Sequence, residues 1–307
     1  MNQPARPLVA DADYVPVQPE VSVVMVVYRT GEPLEQAIRC VLDEPKVDEL
    51  IIVDNGSTDA AAEGLRLLAR IEPRVLLLQG HGNIGFARGA NLGMTAARGR
   101  YLVFLNPDAF LQPGCIEALA DSLEGQPPRS IVGACILDPD GREQRGGRRG
   151  EVSALSTLIT LSRASRRFPR LDQYEIHRNH EAMPDGVVTM PTISGACFAA
   201  RREDFAALGG FDEGYFLHVE DIDLCWRARK QGGAVLFQPN AKVVHLGHTS
   251  NSSPWRVEMH KGFGMIRYFL KRAETAPAML LTVVLTPLIL LMALLRPMLW
   301  RVRGRRA

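Results

Sequence analysis

The residues of this chain best suited to chemistry are carboxylates at the ends of short apolar runs. In Asp54-Asn-Gly-Ser-Thr-Asp59 a carboxylate follows the run Leu50–Val53. From a strand end it can accept the N3–H of a uracil or thymine ring, and Gly56 lets backbone come close to a ligand. The same residues also suit a helix N-cap turn. Asn106-Pro-Asp108 closes the run Tyr101–Leu105. A hard divalent cation bridging a diphosphate needs one or two carboxylates beside the phosphate oxygens. Asp108 fits that role, with a plain turn before the next helix as the other reading. Val219-Glu-Asp-Ile-Asp-Leu-Cys-Trp-Arg227 puts three carboxylates in the first turn of a helix. The helix dipole favours them there, and Asp223 can pair with Arg227 one turn on. Glu220 and Asp221 also neighbour Phe211, Tyr215 and Phe216, surroundings that would hold and partly desolvate a general base. His245 and His248 follow a further apolar run and can add a nitrogen ligand to a metal ion.

These residues must be positioned by the elements between them, and the first half alternates strand and helix patterns. Val21–Val27, Leu50–Val53, Val75–Leu78 and Tyr101–Leu105 read as strands, the first a continuous β-branched run buried on both faces. Pro33–Leu42, Ala60–Ala69, Ala87–Ala97 and Pro113–Leu123 read as helices. The pattern predicts an α/β layer with a largely parallel sheet, whose ligands bind at the carboxyl ends of the strands. The loops beginning at Tyr28, Asp54 and Asn106 lie there. Gly80-His-Gly82-Asn-Ile-Gly85 spells the dinucleotide fingerprint, but that loop normally follows a first strand and two strand–helix units precede it here. Ser130–Leu137 is a further strand, closed by the turn Asp138–Gly141. Periodicity fades from Arg142 to Asp185, which predicts a mobile or substrate-facing insertion. A strand over Thr192–Ala200, helices Glu203–Leu208 and Val219–Gln231, and two short strands, Ala234–Phe237 and Lys242–His245, follow.

A chain of 307 residues with 46% hydrophobic and 23% charged content can bury a real core. Its net charge of +2 hides clusters: eight arginines from Arg142 to Arg170, and Arg296, Arg301, Arg303, Arg305 and Arg306 near the end. Such clusters suit nucleic acid, anionic lipid or a phosphorylated substrate. The five cysteines show no CxxC spacing and read as buried, reduced thiols. Met1–Glu20 reads as loose and carries no basic–apolar signal, which predicts a cytoplasmic catalytic mass. Ala276–Leu295 is twenty residues without a charge, about 30 Å as a helix. A full span would leave the arginine tail outside, against the positive-inside tendency. Pro287 is therefore expected to bend the segment into a re-entrant or interfacial anchor, with Lys271, Arg272 and the tail on anionic headgroups.

Val23-Val-Met-Val-Val-Tyr28, Ile51–Asp59, Asn83-Ile-Gly-Phe-Ala87 with Asn91 and Gly93, and Phe104-Leu-Asn-Pro-Asp108 together resemble family 2 glycosyltransferases. Ser194-Gly-Ala196, Gly209–Glu213, Glu220–Leu224 and His245 continue the series in order, over roughly Val21 to Ser250. The chain looks most like the rhamnosyltransferase-like branch that builds bacterial cell-surface polysaccharide. The resemblance implies a GT-A fold over 21–250, with a nucleotide half (21–137) and an acceptor half (138–250) on one continuous sheet; composition adds a loose segment, 1–20, and a C-terminal membrane-associating segment, 251–307. It implies a dTDP-, UDP- or GDP-sugar donor bound by Val27, Tyr28, Asp54, Asn83, Arg88, Asn91, Asn106 and Asp108. For Arg88, surface solvation is the alternative. It also implies magnesium or manganese on Asp108 and a late histidine, His245 or His248. Asn106 stands where the first acid of the family's Asp-X-Asp motif usually falls. Asp221 matches the catalytic base with Glu220 as neighbour, and Gly195, Ala196 and Asp223 fall on the acceptor side. The expected outcome is inverting transfer to a glycan or polyprenyl-linked acceptor at the cytoplasmic face of the plasma membrane, with anionic lipid as partner and no role for nucleic acid. A scaffold without catalysis and an NAD-linked oxidoreductase are the alternatives.

Overall fold

The computed structural model describes residues 20–162, 164–247, 249 and 253–302. The chain runs β1 (Val21–Val27), α1 (Pro33–Leu42), β2 (Val47–Asp54), α2 (Asp59–Ile71), β3 (Val75–Leu78), α3 (Phe86–Ala96), β4 (Tyr101–Leu105), β5 (Ala109–Leu111), α4 (Cys115–Leu123) and β6 (Ile131–Leu137). The segment after β6 holds β7 (Arg148–Arg149), α5 (Ala154–Ser162), α6 (Ala164–Arg167) and a 3-10 turn, Pro169–Tyr174. It is followed by β8 (Val188–Thr189), β9 (Thr192–Ile193), β10 (Cys197–Arg201), α7 (Arg202–Ala207), α8 (Glu220–Lys230), β11 (Val235–His245), α9 (Pro254–Arg272) and α10 (Ala276–Val302).

One sheet carries the site. Its order is β3-β2-β1-β4-β10-β6-β11-β5, with β8 added against β11. Strands β1, β2, β3, β4, β6 and β11 point one way, and β5, β8 and β10 the other. Every residue of β1 and β4 is buried, as continuous apolar strands covered on both faces must be. Units β1 to β3 step outward on one side, then β4 returns to the other side of β1. That reversal opens a crevice at the carboxyl ends, where Tyr28, Asp54 and Asn106 begin their loops. Because β10 runs against β4, its start at Cys197 pairs with Leu105, and Gly195 and Ala196 are delivered to the same end.

Several elements differ from the sequence pattern. The run expected as one strand over Thr192–Ala200 breaks in two: β9 leaves the sheet to pair with β7 in a two-stranded ribbon, and β10 alone joins the sheet. The two strands expected at its end are one, β11, whose register with β6 slips between Gln238 and Lys242; Pro239 there has no N–H for a ladder. The insertion from Arg142, expected to be mobile or substrate-facing, folds around a buried pair, Arg148 with Glu143 at 2.6 Å. Helix α10 runs unbroken through Pro287, so the expected bend is absent. The turn lies earlier, at 273–275, and α9 and α10 form an antiparallel hairpin: a Cβ at Gly262 would lie 3.1 Å from Ala293, and Arg296 reaches Glu258. Helix α9, assigned from sequence to the membrane segment, instead packs Tyr268 and Phe269 into a cluster with Val152, Tyr215, Val219 and Ile222 of the domain. The five cysteines carry no disulfide, and four are buried.

Candidate active site

At the crevice, the Asp54 carboxylate is shaped by its own turn. Oδ1 accepts the N–H groups of Gly56 and Ser57 at 3.1 and 2.8 Å, which leaves Oδ2 for a ligand. The Tyr28 ring lies beside Gly56, 3.7 Å from where a Cβ would stand, and forms a flat wall next to that carboxylate. Val27 is fully buried and takes part through backbone, its carbonyl accepting Asn55 N–H. Asn55 ties this turn to the glycine loop by donating to the Gly85 carbonyl at 2.9 Å and meeting His81 at 3.0 Å. The loop has no dinucleotide geometry. Gly85 has φ +87°, and a Cβ there would sit 2.7 Å from the Phe216 carbonyl, which instead accepts the Phe86 N–H. The first amide of α3 is thus engaged by the Phe216 carbonyl. Asn83 accepts Gly85 N–H within the same turn.

Two other residues expected at the nucleotide face the 209–213 loop. Asn91 accepts from Phe211 N–H and donates to the Phe211 carbonyl and Glu213, so its amide is fully engaged in fastening α3 to the 209–213 loop. Arg88 is exposed and lies 3.5 Å from Glu213. Asp223, expected on the acceptor side, is fully buried and paired with Arg227 at 2.7 Å and Lys271 at 2.8 Å. It is part of the core that holds α8. Lys271, Arg272 and Arg296, expected at headgroups, are likewise engaged with Asp223, Glu151 and Glu258.

Asp108 and His245 meet across 137 residues of chain because β5 pairs with the end of β11. His245 Nε2 lies 3.2 Å from Asp108 Oδ1 and 3.2 Å from Asn106 Nδ2. Gln144, which the sequence did not single out, sets the ring. Its Nε2 donates to Asp138 and to the His245 carbonyl, so its Oε1 must accept from His245 Nδ1, at 2.8 Å. With Nδ1 as the donor, Nε2 of the neutral ring accepts from Asn106 Nδ2 and faces the Asp108 carboxylate, an arrangement that a cation between them, proton or metal, would complete. Thr249 donates to Asp108 Oδ2 at 2.8 Å. Burial pushes the Asp108 pKa up, but the bonds from His245 and Thr249 outweigh it and the carboxyl titrates below its usual range. Among the described residues no three His, Cys, Asp or Glu side chains converge. An ion here would take Asp108 and His245 and complete its shell from a ligand's oxygens. His248 lies outside the described residues.

Asp221 stands at the start of α8, entered through a strained turn: His218 and Val219 both have positive φ, 67° and 76°, unusual for a β-branched residue. Its Oδ2 is held by Arg149 at 2.5 Å and by Gly195 N–H at 3.0 Å. Gly195 has no side chain to spare the space, since a Cβ would come within 3.0 Å of Asp221 Cβ. Ala196 is buried, and its carbonyl accepts Asn106 N–H. Burial would raise the Asp221 pKa, but the Arg149 guanidinium overrides this and keeps the carboxyl ionised. Glu220 goes the other way: burial first, then the neighbouring Asp221 charge, push it up to about 8. Two adjacent carboxyls therefore differ in charge at neutral pH. Arg149 lies inside the arginine-rich segment, and nothing local in sequence pairs it with a carboxylate 72 residues on.

The sheet, with its crevice and the two carboxylate clusters at one end of its strands, defines a fold of the GT-A type. A mannosyltransferase from Pyrobaculum calidifontis in complex with GDP-Man and Mn2+ superposes with a TM-score of 0.58 at 18% identity, over 90% of this chain and 73% of that one. GalNAc-T7 with UDP, GalNAc and Mn2+ does so at 0.60 and 17%, over 83% of this chain and 48% of that one. The Glycosyl transferase family 2 model matches residues 22–209, and the chain belongs to that family. It is 30% identical over 251 residues to the N-acetylglucosaminyl-diphospho-decaprenol L-rhamnosyltransferase of Mycobacterium tuberculosis, covering 76% of this chain and 78% of that one. It is 24% identical over 187 residues to the rhamnosyltransferase WbbL of Escherichia coli, covering 56% of this chain and 64% of the relative.

Proposed function

We propose that the chain transfers a sugar, rhamnose as the best candidate, from a nucleoside-diphosphate donor to a hydroxyl of a saccharide linked to a polyprenyl diphosphate, with inversion. The supporting observation is the pairing of an ionised, arginine-held Asp221 with the Asp108–His245 cluster at one end of one sheet. Tyr28 and Asp54 receive the base. Asp108 and His245 would hold magnesium or manganese, which supplies charge neutralisation at the departing diphosphate. Asp221 orients the acceptor hydroxyl through Oδ1, the oxygen less encumbered by Arg149 and Gly195, and takes its proton as the new C1–O bond forms and the C1–O bond to the diphosphate breaks. Glu220, neutral beside it, keeps a second negative charge out of the cleft.

The protein acts at the cytoplasmic face of the membrane, lying in the plane of the interface. Helix α10 is the one described helix long and apolar enough to cross a bilayer. Yet its Thr282, Leu285 and Ala293 are buried in the hairpin with α9, which carries Glu258, Lys261, Arg267, Lys271 and Arg272. A perpendicular α10 would drag those charges into hydrocarbon. Its other face, Leu280, Val284, Leu288, Leu291 and Leu295, is exposed and suits lipid.

A panel of dTDP-, UDP- and GDP-sugars offered with an N-acetylglucosaminyl-diphospho-polyprenyl acceptor tests the reading. One donor should support transfer, with the product anomer inverted by NMR. Asp221→Asn should lower turnover by about two to four orders of magnitude while nucleotide binding persists. Absence of both transfer and donor hydrolysis across the panel overturns it.

A further inference from the structure

We propose that Arg149, His177 and Lys261, with Arg145 at the rim, form a cleft that binds the diphosphate of the lipid-linked acceptor, separately from the donor diphosphate at Asp108 and His245. The proposal rests on the transfer reading above and adds the group by which the acceptor is held.

Arg149 and His177 face each other across an isolated antiparallel bridge. Gly150 N–H donates to the Ile176 carbonyl at 2.7 Å and Arg178 N–H to the Arg148 carbonyl at 3.1 Å. Those flanking bonds make Arg149 and His177 the close, non-hydrogen-bonded pair, whose side chains share one face. On that face Arg149 reaches Asp221, so the bridge borders the point where an acceptor hydroxyl must lie. Arg149 Nε and His177 Nδ1 are buried there without a hydrogen-bond partner among the described residues. Buried polar atoms of this kind are seldom left unpaired, and ligand oxygens would satisfy them.

The opposite wall is α9. Gly264 brings that helix onto the strained turn before Asp221, a Cβ there falling 3.0 Å from Val219. Lys261 lies one turn earlier on the helix, within electrostatic range of Arg149, Asp221 and His177. Its side chain is exposed, and crowding by surrounding protein lowers the pKa of its ammonium. The same crowding, together with Arg145 and Arg149, holds His177 down to about 4. Asp221 is matched by Arg149 and Glu258 by Arg296, whereas Lys261 and Arg145 have no ion-pair partner among the described residues. Two cations without an ion-pair partner, the unpaired Arg149 Nε–H and a His177 ring that can donate from Nδ1 fit an anion with two charges and several oxygens. Beyond α9 lies the apolar face of α10, where a chain esterified to that anion could enter lipid.

The test uses the full-length protein in lipid nanodiscs. Calorimetry with inorganic diphosphate, under chelator so that no metal occupies the donor side, should show binding. Lys261→Gln and Arg145→Gln should weaken it, and nucleoside diphosphate should leave it undisplaced. With the saccharide on a polyprenyl diphosphate, Lys261→Gln should raise the acceptor KM by about tenfold or more, the scale of one lost charge-assisted bond, with kcat and the donor KM unchanged. With the same saccharide on a neutral alkyl chain, wild type and Lys261→Gln should behave alike. Displacement of diphosphate by nucleotide, equal affinity in both variants, or an equal loss on the neutral acceptor would overturn the cleft. Failure of wild type to use any donor would sink the transfer reading instead, and the calorimetry would still judge the cleft.

Discussion

Asp221 and Glu220 show how much a single arginine decides. Arg149 keeps Asp221 ionised, so replacing it with glutamine should raise the Asp221 pKa, because burial then acts unopposed. The acid limb of the kcat/KM–pH profile should move upward in Arg149→Gln; an unmoved limb would separate Arg149 from the base. Glu220 has the opposite linkage. Its folded pKa, about 8, lies above the ordinary carboxyl value of 4.5, so the folded state holds a proton that the unfolded chain releases, and stability falls as pH rises between those values. Glu220→Gln removes that dependence, and its melting temperature should gain more over wild type at pH 8 than at pH 5. For the metal cluster, Asp108→Ala should weaken manganese and nucleoside-diphosphate binding together by calorimetry, while Asp54→Ala weakens the nucleotide alone. Asp54, Asp108 and His245 stand out in sequence because each closes or follows an apolar run, and Asp221 because it falls in the acidic first turn of a helix. Gln144 and Arg149 were not: they sit in a segment without periodicity, and their partners are 101 and 72 residues away.

Among the elements, strands β1, β3 and β4 fall where their largely apolar runs begin and end; β1 and β4 are buried throughout, with Ser22 the one polar residue inside β1, while β3 is a partly exposed edge strand. Strand β5 escaped notice because three residues have no period to read; β9 and β10 were merged because the kink at Ser194–Ala196 lacks proline. That kink is what aims Gly195 at Asp221. Asn91 was legible as a marker of the family but not in its use, which is to join the two halves. Asn91→Ala should lower unfolding free energy by about 1–3 kcal/mol in urea titration, as a part-buried cluster loses its partner, with nucleotide affinity retained. Gly85→Ala tests the same junction more severely. A methyl group 2.7 Å from the Phe216 carbonyl must push the turn that leads to Asp221, so turnover should fall even where the protein remains folded.

For the molecule as a whole, the proposed role of the hairpin of α9 and α10 is to join catalysis to a surface. Replacing Leu280, Leu288 and Leu295 with serine should free the protein from anionic vesicles in flotation, with nucleotide binding intact; continued flotation would mean that another part holds the membrane. Ala307→Cys should be labelled from the cytoplasmic side only, whereas periplasmic labelling would show that α10 crosses. An enzyme lying in the interface meets its lipid acceptor by diffusion in two dimensions. Its rate would then follow the mole fraction of acceptor in the bilayer, and not the amount per volume of suspension. Adding inert lipid at constant acceptor would slow it, and drawing acceptor into small domains would speed it, with no change in any residue of the active site.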